Sequence, residues 1–136
     1  VYTVSFQGQM AAVDKARGSV NWSRSLSSHQ GLVSDGATLY AADSNGSVVA
    51  VDAANGELKW RQDILKGRQL SAPALAGGYL AVADLEGYVH WLLPADGTLV
   101  ARVRAVSSAV QAPLVAVGNR VIAYGIEGQL ASVTAP

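Results

Sequence analysis

The segment Ala12-Val13-Asp14-Lys15-Ala16-Arg17-Gly18-Ser19-Val20-Asn21-Trp22 returns as Ala50-Val51-Asp52-Ala53-Ala54-Asn55-Gly56-Glu57-Leu58-Lys59-Trp60. Both copies fit A-x-D-x-x-x-G-x-x-x-W, and their tryptophans stand 38 residues apart. A weaker third copy runs through Trp91, Asp96-Gly97 and Ala101. A period of about 40 residues restricts a chain to stacked arrays, in which each unit buries its apolar surface against the next.

The units are written in strands. Four turns, Gln7-Gly8, Asn45-Gly46, Glu86-Gly87 and Glu127-Gly128, have glycines that step by 38, 41 and 41 residues. A second series, Arg17-Gly18, Asn55-Gly56 and Asp96-Gly97, follows ten residues after each of the first three. Glycine at these positions permits the positive φ of tight hairpins, so strands of about six residues lie between turns. Residues 39–42, 79–83 and 120–124 are apolar on both faces, the pattern of strands sandwiched between neighbouring sheets. Residues 47–51 and 88–93 follow their turns in the same style, whereas 57–62 and 98–104 alternate and carry more charge, as outer strands do. No stretch of ten or more residues shows a 3.6-residue period between caps, so no helix is expected.

The expected fold is therefore all-β: a β-propeller fragment of four-stranded antiparallel blades in a single partial domain, 1–136. Blades 30–68 and 69–109 are complete. Residues 1–29 supply strands two to four of a partial blade, and 110–136 supply strands one to three of another. The beginning, Val1-Tyr2-Thr3-Val4-Ser5-Phe6, already alternates like a strand and lacks the leader of a signal peptide. The chain reads as one without its natural beginning.

The recurring residues have a packing explanation. Asp14 and Asp52 close a strand and can accept backbone N–H groups in the next turn, which Gly18, Gly56 and Gly97 allow. Trp22 and Trp60 return on the neighbouring strand, where an indole can fill the wedge between sheets with its N–H bonded. The third copy departs: Leu93 stands in place of Asp52 and Ala101 in place of Trp60, which makes Trp91 the candidate for the inter-sheet space. A residue that serves one ligand need not recur in every unit, so these positions are read as structural.

Little else carries chemistry. Ten basic and ten acidic residues balance, which argues against nucleic-acid binding and offers no attraction to anionic lipid. There is no cysteine, so disulfides, thiolate metal sites and a cysteine nucleophile are excluded. The richest apolar region, from Leu114 to Ile126, is broken by Gly118, Asn119 and Arg120, too short for a membrane helix. His29 and His90 make no metal motif, and Asp43-Ser44-Asn45-Gly46 lacks the remaining ligand positions of a calcium loop. No nucleophile elbow, phosphate loop or dinucleotide fingerprint occurs. No catalytic, cofactor-binding or metal residue is expected, and no cofactor. Arg61, Lys66 and Arg68 cluster at one connection, and Arg102 and Arg104 share a strand face. They form either a solvated rim or part of a footprint for an acidic partner.

The A-x-D-x-x-x-G-x-x-x-W spacing resembles the tryptophan-docking repeat of eight-bladed propellers related to the quinone-dependent dehydrogenases. Residues 75–91, with the segment Gly87-Tyr88-Val89-His90-Trp91, more closely resemble the penultimate blade of the BamB family. These are propeller lipoproteins of the outer-membrane β-barrel assembly machinery. The resemblance continues through Gln111-Ala112-Pro113-Leu114-Val115 and residues 127–133. It implies a non-catalytic scaffold on the periplasmic face of the outer membrane, with its lipid anchor in an N-terminal part outside this sequence. It implies as partners the periplasmic repeats of the BamA barrel-assembly protein and unfolded outer-membrane proteins. No partner-binding residue carries over, because that family's main partner-binding loops lie on earlier blades. A remnant of a quinone-dependent enzyme fits less well, since the resemblance would require a vicinal cysteine pair. A general propeller interaction module is the remaining alternative. Exposed edge strands at 1–5 and in the 121–134 hairpin are expected to favour self-association.

Overall fold

A computed structural model describes residues 1–5, 8–28 and 30–136. Phe6, Gln7 of the first turn and His29 lie outside the described residues. Among the described residues, fourteen strands form four antiparallel sheets. Sheet A holds β1 (Tyr2–Val4), β2 (Gln9–Val13) and β3 (Val20–Ser25). Sheet B holds β4 (Leu32–Ser34), β5 (Thr38–Ala42), β6 (Val48–Asp52) and β7 (Leu58–Gln62). Sheet C holds β8 (Ala74–Ala76), β9 (Tyr79–Ala83), β10 (Tyr88–Leu92) and β11 (Leu99–Arg104). Sheet D holds β12 (Val115–Val117), β13 (Arg120–Tyr124) and β14 (Leu130–Thr134). Among the described residues there is no helix. Each sheet runs in simple meander order, as a propeller of two four-stranded blades flanked by two three-stranded ones requires.

The core lies between sheets. Leu39, Ala41, Val49 and Val51 face sheet A and pack with Met10 and Leu26. Their strand neighbours Tyr40, Ala42, Val48 and Ala50 face sheet C and pack with Leu80, Val82 and Leu92. Ala81, Ala83, Val89 and Trp91 in turn face sheet D, meeting Val121, Ala123 and Val133. Period-two alternation thus sends successive side chains into two different seams, which is why both faces of β5, β6, β9 and β10 are apolar. Strand β13 departs from the expected two-sided burial: Val121 and Ala123 are buried, but Arg120 and Tyr124 are exposed. Sheet D packs on sheet C through one face only, so its other face, with Val115, Val117 and Tyr124, is open.

Two devices join each sheet to the next. At one end, the connection between sheets accepts a backbone hydrogen bond from the following turn: Ser44 N–H to Ser27 O, Leu85 N–H to Arg68 O and Ile126 N–H to Ala109 O, at 2.8, 3.0 and 2.9 Å. At the other end an indole docks. Trp22 Nε1–H donates to Ala53 O at 3.0 Å and Trp60 Nε1–H to Pro94 O at 2.8 Å. Two residues on, Arg24 Nη1 donates to Gly56 O and Gln62 Nε2 to Gly97 O. The outer strand of one sheet therefore grips the last turn of the next.

Glycine in that turn has two jobs. Gly18, Gly56 and Gly97 all have positive φ, between 69° and 76°. Gly56 and Gly97 also lie under an indole: a Cβ on either would stand 2.5 Å from Cε3 of Trp22 or Trp60, whereas one on Gly18 meets nothing within 4 Å. Aspartate is dispensable by comparison. Asp14 Oδ1 accepts from Ala16 and Arg17 N–H, and Asp52 Oδ1 from Ala54 N–H. Yet Leu93 makes the same backbone turn, with Gly97 N–H to Leu93 O at 2.8 Å beside Gly56 N–H to Asp52 O at 2.9 Å.

The three turns make a controlled comparison. Gly18→Ala carries only the left-handed backbone penalty, about 1–2 kcal/mol. Gly97→Ala must also displace Trp60, and is expected to lose roughly a further 2 kcal/mol by the scale of overpacking. Urea unfolding of both variants, repeated in a Trp60→Ala background, checks this. The excess should vanish when the indole is gone.

Candidate functional site

The repeat residues Asp14, Gly18, Trp22, Asp52, Gly56, Trp60 and Gly97 sit at the docking end of the seams, away from the polar groups gathered at the other end. That other end carries the Asp43–Gly46 and Asp84–Gly87 turns, which join the second and third strands of sheets B and C. In each, one carboxylate oxygen fixes the turn: Asp43 Oδ1 accepts from Asn45 and Ser47 N–H, and Asp84 Oδ1 from Glu86 and Tyr88 N–H, all at 2.9–3.0 Å. The second oxygen is left to choose a cation, and the two sheets choose differently.

In sheet B, Asp43 Oδ2 binds Arg61 Nη2 at 2.9 Å. Arg61 Nε binds Asp63 Oδ1 at 2.9 Å, and Ser47 Oγ–H donates to the same oxygen at 2.5 Å. The Ser47 hydroxyl and the Arg61 guanidinium hold the Asp63 carboxyl down at about 2. Lys66 Nζ lies 3.4 Å from Asp63 Oδ2 and closes the cluster, so each charge has its opposite.

In sheet C, Asp84 and His90 are both fully buried. Asp84 Oδ2 receives Arg68 Nη1 at 2.7 Å and faces His90 Nε2 at 2.7 Å. A carboxylate only accepts, so the shared proton belongs on Nε2. Burial pushes the Asp84 carboxyl up, but hydrogen bonds from His90, the Tyr88 N–H, Arg68 and the Glu86 N–H outweigh it and hold it at about 2. His90 Nδ1 and Trp91 Nε1 are buried with no protein partner among the described residues. Among the described residues no third His, Asp or Glu joins this pair to make a group that could hold a metal ion.

A cleft of about 450 Å³ opens beside these turns, lined by Gln30, Asp43, Ser44, Gln69, Leu70, Leu85, Ala109, Val110 and Gln111. Its polar lining is amide and hydroxyl, because the Asp43 carboxylate is already spent on Arg61 and its own turn. A second, shallower hollow follows the innermost strands and is lined by Leu32, Val33, Pro73, Leu75, Pro113 and Leu114. The first suits peptide-like hydrogen bonding and the second apolar contact. Neither brings an acid, a base and a nucleophile together.

Sequence reasoning placed His90 beside Trp91 but did not see its partner. The available signal was Asp84 itself, 41 residues after Asp43 at the head of an equivalent turn. Trp91 lies at 0% exposure between sheets C and D, where the weak third repeat pointed. Its indole differs from the other two in having no docking carbonyl.

Asp84 has a pH signature. Its folded value of about 2 lies below the ordinary 3.8, so its stabilisation is complete above about pH 4 and is lost as pH falls through 2. Asp84→Asn strands the half-buried Arg68 and the buried His90, and is expected to lower unfolding free energy at pH 7 by about 3 kcal/mol. Urea titrations at pH 7 and pH 2 check it, since the gap between native chain and variant should shrink at the lower pH.

Comparison with known proteins follows the same lines. The family model described as outer membrane protein assembly factor BamB matches residues 1–62 and 44–135. The BamB protein of Alkalilimnicola ehrlichii is 39% identical over 132 residues, 97% of this chain and 34% of that protein. That of Pseudomonas aeruginosa is 38% identical over 134 residues, 98% of this chain and 35% of the relative. The chain thus spans about a third of the length of the curated relatives it matches. The crystal structure of BamB from Moraxella catarrhalis superposes with a TM-score of 0.90 at 30% identity, covering 98% of this chain and 39% of the other. The WD40 domain of Sif2, at 18% identity and TM-score 0.77, shares the fold alone. Family match, identity and backbone together place the chain in the BamB family of outer membrane protein assembly factors.

Proposed function

We propose that this chain forms part of a non-catalytic scaffold that supports the folding and insertion of outer-membrane β-barrel proteins through protein–protein contacts. The observation that carries the reading is 39% identity to an outer membrane protein assembly factor across 97% of the chain. The chemistry agrees with it: Asp43, Asp84, Arg61 and Arg68 serve turns and seams. The reading extends to a lipid-anchored protein on the periplasmic face, with the periplasmic repeats of BamA and unfolded barrel proteins as partners. One mode of contact is β-augmentation, in which an open sheet edge receives an extended strand. Within this chain, β5 and β6 of sheet B are paired on both sides, whereas among the described residues their counterparts β1 in sheet A and β14 in sheet D are each paired on one side. Leu130 on β14 is 71% exposed.

The test is retention of the barrel-assembly machinery by the tagged full-length protein that contains this chain, together with photo-crosslinking at Thr3 and Leu130 of the isolated chain. Adducts to an unfolded barrel substrate are expected, and their absence from both edges would remove β-augmentation from the proposal. The same free edges are expected to pair between copies of the isolated chain, giving a concentration-dependent mass by light scattering. A strictly monomeric species at high concentration counts against it.

A further inference from the structure

Sheets B and C place four side chains at matching positions, and the repeat shows what sheet C has changed. Strand pairing sets Arg61 opposite Val49 in sheet B and Arg102 opposite His90 in sheet C. By the same register Asp63 corresponds to Arg104, and Ser47 to Tyr88. In sheet B the outer strand therefore reads Arg-x-Asp and neutralises itself, with Arg61 bound to both Asp43 and Asp63. In sheet C it reads Arg-x-Arg. The carboxylate that Arg102 would inherit is Asp84, and Arg68 and His90 already hold it.

The result is a pair of like charges without an ion-pair partner among the described residues. The Arg102 and Arg104 guanidiniums lie 5.2 and 5.8 Å from the Tyr88 ring centroid, with Arg68 at 6.0 Å. A tyrosine face attracts cations, so one ring gathers three. Both outer arginines are exposed, on the free outer edge of sheet C. Two adjacent guanidiniums repel one another, and an anion between them relieves the repulsion while accepting charge-assisted hydrogen bonds.

We propose that Arg102 and Arg104, gathered over Tyr88, form a receptor for an extended acidic protein segment bearing two carboxylates two residues apart. On one face of a strand such residues stand about 6.8 Å apart, the same spacing as Arg102 and Arg104 on β11. A segment laid along the free edge of β11 can match them one to one. Charges on an edge strand ordinarily discourage pairing; two arginines discourage basic segments and select acidic ones. A flat anionic membrane fits less well, because Glu86, with its side chain 56% exposed and Oε2 at 3.9 Å from Arg68 Nη1, sits beside the Tyr88 group and would be pressed against it. The site gives the scaffold reading a partner chemistry and rests on that reading for its biological setting only.

The test is fluorescence anisotropy of this chain with a labelled ten-residue Thr/Val peptide carrying Asp at two positions two residues apart. Controls carry Asn at both positions, or Asp at adjacent positions. Arg102→Gln/Arg104→Gln, both surface changes, is expected to weaken the first peptide about tenfold, the scale of two exposed ion pairs. Both control peptides should bind the unaltered chain as weakly as the first binds the variant, and added salt should weaken only the matched pair. Equal affinity of chain and variant, indifference to Asp spacing, or no binding at millimolar peptide would each overturn the proposal. So would phosphatidylglycerol vesicles that bind the chain and lose it in the variant while the peptide does not. Retention of the assembly machinery is measured separately. Peptide binding without retention leaves this site standing and removes the scaffold reading, and the reverse outcome removes the site alone.

Discussion

The docking of one sheet's indole on the next sheet's glycine is the contact from which the rest of the arrangement follows. A four-stranded sheet whose central strands are apolar on both faces, as in sheets B and C, cannot leave either face wet without exposing that surface. It must bury both, and the seam must be held at each end for the interdigitated alanines and valines to stay in register. Trp22 and Trp60 do this at one end, each with a hydrogen bond to a turn carbonyl and a flat contact that only glycine admits. The connection-to-turn hydrogen bonds do it at the other. Between the two ends a row of side chains crosses each sheet: Tyr2, Ala12 and Trp22 in sheet A, and Tyr40, Ala50 and Trp60 in sheet B. The central alanine lets the two rings approach over it, at 6.3 and 6.1 Å between centroids.

Sheet C solves the same volume problem in reverse. Its row reads Ala81, Trp91, Ala101, so the single large ring sits in the middle and the small residues flank it. Tyr79 packs edge-on against it at 6.4 Å. The exchange keeps the seam filled and gives up the docking hydrogen bond. Magnitudes explain why that is tolerable. Burying an indole removes roughly 200 Å² from water, worth roughly 5 kcal/mol. An N–H left without a partner costs about 1–3 kcal/mol. Packing wins, and the Trp91 position holds without a carbonyl to receive it.

This explains which parts were legible in the sequence. Turn glycines and apolar runs repeat because every seam repeats, so strand order, sheet count and the indole positions could be read from spacing. The reason for Gly56 and Gly97 could be read only by half: a positive φ is a local property, but an indole from another sheet is not. Within this chain β13 buries one face only, and periodicity within a strand does not say how many neighbouring sheets the chain itself supplies. The Asp84–His90–Arg68 contact was hidden for a related cause. Arg68 arrives from the connection before sheet C and His90 from its third strand, and no local pattern joins them.

Departures from the repeat are therefore where individual function has room to appear. Asp43, Ser47, Arg61 and Asp63, together with Lys66, form a neutral set whose every member is committed to another. That arrangement is complete in itself and offers nothing to a partner. At the same positions Asp84, Tyr88, Arg102 and Arg104 keep the turn, since Asp84 still binds its two N–H groups. But they move the neutralising cation from the outer strand to the preceding connection. Stability at the seam is then secured by Arg68, and the outer strand is released from it. Two arginines that the fold does not need are held at the surface by an aromatic ring instead of by acids. An ion pair would have fixed them and cancelled their charge, whereas a ring fixes them and leaves the charge available.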